Sequence, residues 1–213
     1  MPKPIAIDLY SGLGGWTEGL MAEGYRVVGF DIERHVYGSA RYPAQLVIQD
    51  VLTIHGSQFK DAALIVASPP CQAYSYRAMP WKRAKALPPP DNSLFEACFR
   101  IQAEAIEAAG HHIPLVVENV CGAQKWVGRA RWHFGSFYLW GDVPALMPIV
   151  RRSIKGQGGP WFKDADTADG GYGPGNFRNG IEGTAARKAA SAHIAKIPLP
   201  LSRHIAKAWY PVG

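Results

Sequence analysis

Five short apolar runs, each closing on polar or reactive residues, limit what this chain can fold into. Pro4–Leu9, Arg26–Phe30, Leu46–Ile48, Ala63–Ala67 and Leu115–Val117 read as strands, and Asp31, Asp50, Cys71 and Glu118 lie at or just past their ends. Runs this continuous suit strands buried on both faces, with helical and loop stretches between them. The pattern predicts a doubly wound, mostly parallel, Rossmann-like α/β sheet. In open sheets of this kind ligands bind beyond the carboxyl ends of the strands, which is where the unusual residues gather. Gly12-Leu13-Gly14-Gly15 is expected to open a helix reaching about Gly24. A second helix is expected from Ser93, with a capping box Ser93-x-x-Glu96, an apolar face of Leu94, Cys98, Ile101 and Ala105, and a stop at Gly110. Phe134–Trp140 reads as one further strand, and a helix is expected from Thr184 to about Lys196 and another over Leu201–Trp209.

Composition narrows the class. The 213 residues are 47% hydrophobic, enough for one domain with a true core and too apolar for a disordered chain. No run approaches the roughly 18 apolar residues of a membrane span. Met1-Pro2-Lys3-Pro4 leads straight into a strand-like segment, so no signal peptide is expected. Three widely spaced cysteines do not suggest a disulfide framework, and no Cys/His set has zinc spacing; a cytoplasmic protein without a bound metal is expected. Residues 1–145 are expected to form the main domain. Residues 146–183, with Gly156-Gln157-Gly158-Gly159-Pro160 and Gly170-Gly171-Tyr172-Gly173-Pro174-Gly175, read as a glycine-rich segment, and 184–213 as helices packing back on the domain.

Lys and Arg total 23 against 17 acidic residues, a net charge of +6, which permits a polyanionic partner. Tyr74, Tyr76, Arg77, Trp81, Lys82, Arg83 and Lys85 interleave rings and cations just after Cys71. That mixture suits phosphates and unstacked bases, and equally a solvated surface loop.

The first strand-to-helix turn carries Gly12, Gly14 and Gly15, where backbone can approach a ligand closely. Asp31 follows 19 residues after Gly12, at the end of the next strand, placed to bind ribose hydroxyls. Asp50 ends the third strand, where it suits an adenine amino group, and Tyr10 and Ile32 suit the two faces of the ring. Ser11, Val51 and Pro70 neighbour them at the same strand ends and complete the candidate binding set. No basic residue lies in the glycine turn and the Lys-Ser/Thr of a P-loop is missing, so the set describes an adenosine site with little demand for phosphate binding.

Ser68-Pro69-Pro70-Cys71-Gln72 follows the fourth run. Two consecutive prolines fix φ and pre-shape the loop that presents the Cys71 thiol. Taken alone, Cys71 fits a small buried hydrophobe as readily as a nucleophile.

At this point the residues resemble the cytosine C5-specific DNA methyltransferases that use S-adenosylmethionine. Asp8-Leu9-Tyr10-Ser11-Gly12-Leu13-Gly14-Gly15-Trp16 is similar to that family's first motif, with Tyr and Trp where Phe is usual. Pro70-Cys71-Gln72 resembles its nucleophile motif, Glu118-Asn119-Val120 its Glu-Asn-Val motif, and Arg129-Ala130-Arg131 its later arginine pair. The four occur in the family's order over roughly residues 4–140. Val127 stands where the family has Gln, the interval from Glu118 to Arg129 is short, and only about residues 142–183 stand where a large target-recognition domain is usual. The chain is thus similar to the compact methyltransferases of phages and mobile elements. The resemblance implies a DNA partner and S-adenosylmethionine as cofactor. It implies Cys71 as the nucleophile toward cytosine C6 and Glu118 at N3 and the exocyclic amine. Arg131 would contact O2, with Arg129 in support. It also implies a flipped-out base and a partner subunit or oligomer as a source of specificity. Cys98 and Cys121 are expected to be structural. Three other readings stay open on the residues: an RNA or single-stranded DNA methyltransferase, a silent nucleic-acid-binding relative, and an NAD-dependent oxidoreductase, which leaves Cys71 beside Glu118 unexplained.

Overall fold

The computed structural model describes residues 2–75, 88–147, 192–193 and 195–211. The chain runs β1 (Ile5–Leu9), α1 (Gly15–Ala22), β2 (Arg26–Asp31), a short ribbon β3 (Val36–Tyr37) and β4 (Ala40–Arg41), β5 (Gln45–Ile48), β6 (Ala62–Ala67), α2 (Ser93–Ala109), β7 (Leu115–Asn119), α3 (Gln124–Val127), β8 (Trp132–Phe134), β9 (Phe137–Gly141) and α4 (Leu199–Ala208). Seven strands form one sheet in the order β5-β2-β1-β6-β7-β9-β8. The first five are parallel, and β9 runs antiparallel to both β7 and β8. This is the mostly parallel Rossmann-like sheet that the apolar runs predict. The apolar residues explain it: β1, β6 and β7 are buried along nearly their whole length, as strands covered on both faces must be.

Two cores cover those faces. One packs Phe95, Cys98, Ile101 and Ala105 of α2 against Ile7, Leu9, Ile65, Ala67 and Val117. The other packs Trp16 and Leu20 of α1 and Leu201 and Ile205 of α4 against Ala6, Val27, Leu64, Val66 and Val116. The strand order β5-β2-β1 then β6-β7 reverses between β1 and β6, so the open carboxyl ends of β1, β2, β5, β6 and β7 face one crevice.

Two expectations need correction. The single strand over Phe134–Trp140 is a hairpin: Gly135, at φ 61°, and Ser136 make a two-residue turn between β8 and β9. The capping box does not form. The N-cap of α2 is Asn92, without a side-chain cap, and the Ser93 amide donates to Asp91 Oδ1 at 2.8 Å. The Asn92 side chain is engaged elsewhere: it accepts from the Tyr74 hydroxyl at 2.9 Å and donates to the Trp126 carbonyl at 3.4 Å. Gly110 does end α2, in the left-handed conformation at φ 72°. The glycine-rich segment and all but the last few residues of the helix expected over Thr184–Lys196 lie outside the described residues.

Candidate active site

A cavity of about 390 Å³ opens at the carboxyl ends of the strands, within the ~300–1,000 Å³ usual for small-molecule sites. Its wall carries Tyr10, Ser11, Gly12, Asp31, Ile32, Asp50, Val51 and Pro70. Gly14 and Gly15 do not line it; they let neighbours pack close. A Cβ on Gly14 would strike the Pro43 ring, and one on Gly15 would strike the backbone of Ile197. Tyr10 sits at φ 58°, unusual for a non-glycine residue, and is held there by its hydroxyl donating to the Leu94 carbonyl at 2.7 Å. Gly12, at φ 51°, has open space where a side chain would project.

The wall fits the adenosine end of S-adenosylmethionine. Ser11 Oγ is buried and meets no hydrogen-bond partner among the described residues, so it is available to a ligand hydroxyl or amine. The Asp31 carboxylate is buried at 8% exposure and fixed by the Gly12 amide donating to Oδ2 at 2.9 Å. Asp50 caps the turn Val51–Thr53, accepting from the Leu52 amide at 2.9 Å through Oδ1. Ile32 is 70% exposed and gives the wall an apolar surface. Sequence reasoning missed Trp16, Glu33, His35, Leu94, Lys196 and Ile197 on this wall. Lys196 is placed by its ion pair with Glu18 of α1, so a segment 178 residues away in the chain closes the cavity. A glycine spacing carries no signal for that.

The Cys71 loop borders the same cavity through Ser68, Pro70 and Gln72. Hydrogen bonds from separate elements fix it. The Trp16 indole donates to Ser68 Oγ at 3.0 Å, and the Asn119 amide donates to the Pro69 carbonyl at 3.0 Å. The Tyr74 amide closes a turn on the Cys71 carbonyl at 3.0 Å. Asn119 follows Glu118 at the end of β7, and Ala67 pairs with Val117. The thiol loop and the Glu118 carboxylate therefore rise from adjacent strand ends. Cys71 is half-buried and Glu118 is 7% exposed. The other thiols differ: Cys98 is fully buried, its pKa pushed up by desolvation, and Cys121 is exposed. A buried thiol of this kind is inert.

The arginine pair stands farther out. Arg129 and Arg131 are exposed, and the described residues offer no ion pair to either; the Arg131 amide joins the sheet by donating to the Leu139 carbonyl at 2.9 Å. Tyr74 corrects one expectation. It is 3% exposed, packed in the α2 core and tied to Asn92, so it anchors the loop rather than offering a ring to a partner. Tyr76, Arg77, Trp81, Lys82, Arg83 and Lys85 lie outside the described residues.

The sequence profile of the C-5 cytosine-specific DNA methylases matches residues 5–123. Several solved structures resemble part of the chain. A DNA modification methyltransferase encoded within an Escherichia coli prophage shares 21% identity at a TM-score of 0.40, over 59% of this chain and 34% of that one. The Schizosaccharomyces pombe Dnmt2 methyltransferase shares 18% at 0.39, over 58% and 36%. The Entamoeba histolytica methyltransferase EhMeth shares 17% at 0.40, over 59% and 40%. The matched part thus spans between a third and two fifths of those proteins. No curated protein matches the chain.

Proposed function

Since the chain belongs to the C-5 cytosine-specific DNA methylase family, we propose that it methylates C5 of a cytosine flipped out of DNA, through a covalent bond to Cys71. One observation carries this reading furthest. The Asn119 side chain ties the Pro69 carbonyl to the end of β7, so the thiol loop that borders the cavity is joined to the strand end that carries Glu118.

C5 of cytosine is a weak nucleophile, and a bond at C6 makes it enamine-like. Cys71 acts as the thiolate: its sulfur bonds to C6, and the electron pair of the C5–C6 double bond shifts into the ring. Glu118, in its protonated form, donates to N3 and holds the exocyclic amine, stabilising that charge. Tyr10, Ser11, Gly12, Asp31, Ile32, Asp50, Val51 and Pro70 would hold S-adenosylmethionine, which when bound supplies an electrophilic methyl group. A base then removes the C5 proton, the C6–S bond breaks, and the thiolate returns. Arg131 reaches O2 of the base with Arg129 in support. C5 is out of reach inside a duplex, so the target nucleotide must leave the stack. The net charge of +6 favours the polyanionic strand.

Trapping tests the reading. DNA carrying 5-fluorocytosine blocks the last elimination, so the wild-type protein with cofactor should form an adduct that survives denaturation. Duplex DNA, single-stranded DNA and RNA versions of the trap separate the substrates. Trapping on RNA alone reassigns the substrate, and absence of an adduct on all three removes the covalent mechanism.

A further inference from the structure

His35 stands on the cavity wall and the chemistry above leaves it idle. It is half-buried in the turn between β2 and β3. Its Nε2 lies 3.3 Å from Asp31 Oδ1. A carboxylate only accepts, so that nitrogen carries a proton. Its Nδ1 lies 3.4 Å from the Tyr37 hydroxyl and 3.6 Å from Glu33 Oε1. Burial first, then the Glu33 and Asp31 carboxylates, push the Tyr37 phenol up, so Tyr37 keeps its proton. Tyr37 is itself set by the β3–β4 ribbon, where it pairs with Ala40.

The other contacts of Asp31 complete the picture. Oδ2 accepts from the Gly12 amide at 2.9 Å, and Oδ1 accepts from the Glu33 amide at 3.3 Å as well as from His35. An ionised carboxylate has about four lone-pair sites, two on each oxygen. Oδ1 is therefore saturated, and the remaining site is on Oδ2, beside the glycine turn.

We propose that His35 is a positioning residue: by saturating Asp31 Oδ1 it fixes the carboxylate so that Oδ2 accepts a single hydroxyl of the cofactor's ribose. The inference rests on reading the cavity as the S-adenosylmethionine site. It makes the sugar hydroxyls unequal, one read by Asp31 and the other not.

Calorimetric titration of the full chain with S-adenosylhomocysteine and its 2′-deoxy and 3′-deoxy forms tests it. In the wild type one deoxy form should bind on the order of tenfold more weakly, as loss of a hydrogen bond to a charged group gives, and the other nearly as well as the parent. His35→Phe keeps a ring but no donor; the ratio between the two deoxy forms should fall toward unity. His35→Gln keeps a donor and should restore most of the ratio. Uniform weakening of all three ligands in His35→Phe, with the ratio intact, would show that His35 only supports the ribbon and would overturn the inference alone. No binding of any ligand by the wild type would overturn the cofactor reading and this inference with it.

Discussion

Asp8, next to the last residue of β1, has 1% exposure, and its Oδ1 meets no donor among the described residues. Its Oδ2 accepts from the Thr17 hydroxyl at 2.6 Å, and that hydroxyl lies 2.6 Å from the Tyr42 phenol. Burial pushes the Asp8 carboxyl up to about 8 from an ordinary 3.8, while the Thr17 hydrogen bond pulls it down. Between those values the native state holds a proton that the unfolded chain releases, so stability falls as pH rises through that window. Asp8→Asn, neutral and nearly isosteric, should lose that slope: its melting temperature should gain on the wild type between about pH 5 and about pH 9. A constant difference across the range would mean that Asp8 is ionised in the native state. Two further substitutions separate chemistry from binding. Cys71→Ser should abolish methyl transfer yet leave calorimetric cofactor affinity close to wild type. Glu118→Gln should slow turnover on the order of 10²-fold, the usual weight of a general acid; undiminished turnover would reduce Glu118 to a strand-end carboxylate. The strand-end places of Cys71 and Glu118 were legible because each follows an apolar run. Asp8, Asn92 and His35 were not, because their roles rest on partners brought together only by folding, such as Tyr42 for Asp8 and Trp126 for Asn92.

At the scale of elements, α1 meets α4 through surfaces that only glycine permits. A Cβ on Gly19 would meet the Ser202 side chain and the Arg203 amide, and one on Gly15 would meet the Ile197 backbone. Ion pairs flank the contact, Lys196 with Glu18 and Arg203 with Glu23. The same stretch supplies Lys196 and Ile197 to the cavity wall. Gly15→Ala should therefore cost about 1–3 kcal/mol of stability, as overpacking does, and also weaken cofactor binding. Thermal melts and titration check the pair of effects. Loss of stability with unchanged affinity would show that the wall tolerates the displacement. The strands were readable in advance because a doubly covered strand must be apolar throughout. The β8–β9 hairpin escaped because Gly135-Ser136 is a two-residue turn inside an otherwise continuous apolar stretch. The capping box failed because Asn92 serves the tertiary structure instead of the helix end.

For the molecule as a whole, one sheet with a reversal of strand order brings together a nucleoside-sized cavity, a thiol loop and a carboxylate. The fold and the strand-end residues follow from local pattern. The closure of the cavity by residues 195–197 follows from long-range packing, which no window of sequence contains. Methyl transfer to cytosine C5 can be read out by incubating the protein with duplex DNA and S-adenosylmethionine labelled in the methyl group, then digesting the DNA to nucleosides and identifying the labelled product by mass. Label is expected in 5-methyl-2′-deoxycytidine, and none when Cys71→Ser replaces the wild type. Label on an exocyclic nitrogen of cytosine or adenine, or full labelling by Cys71→Ser, would contradict it.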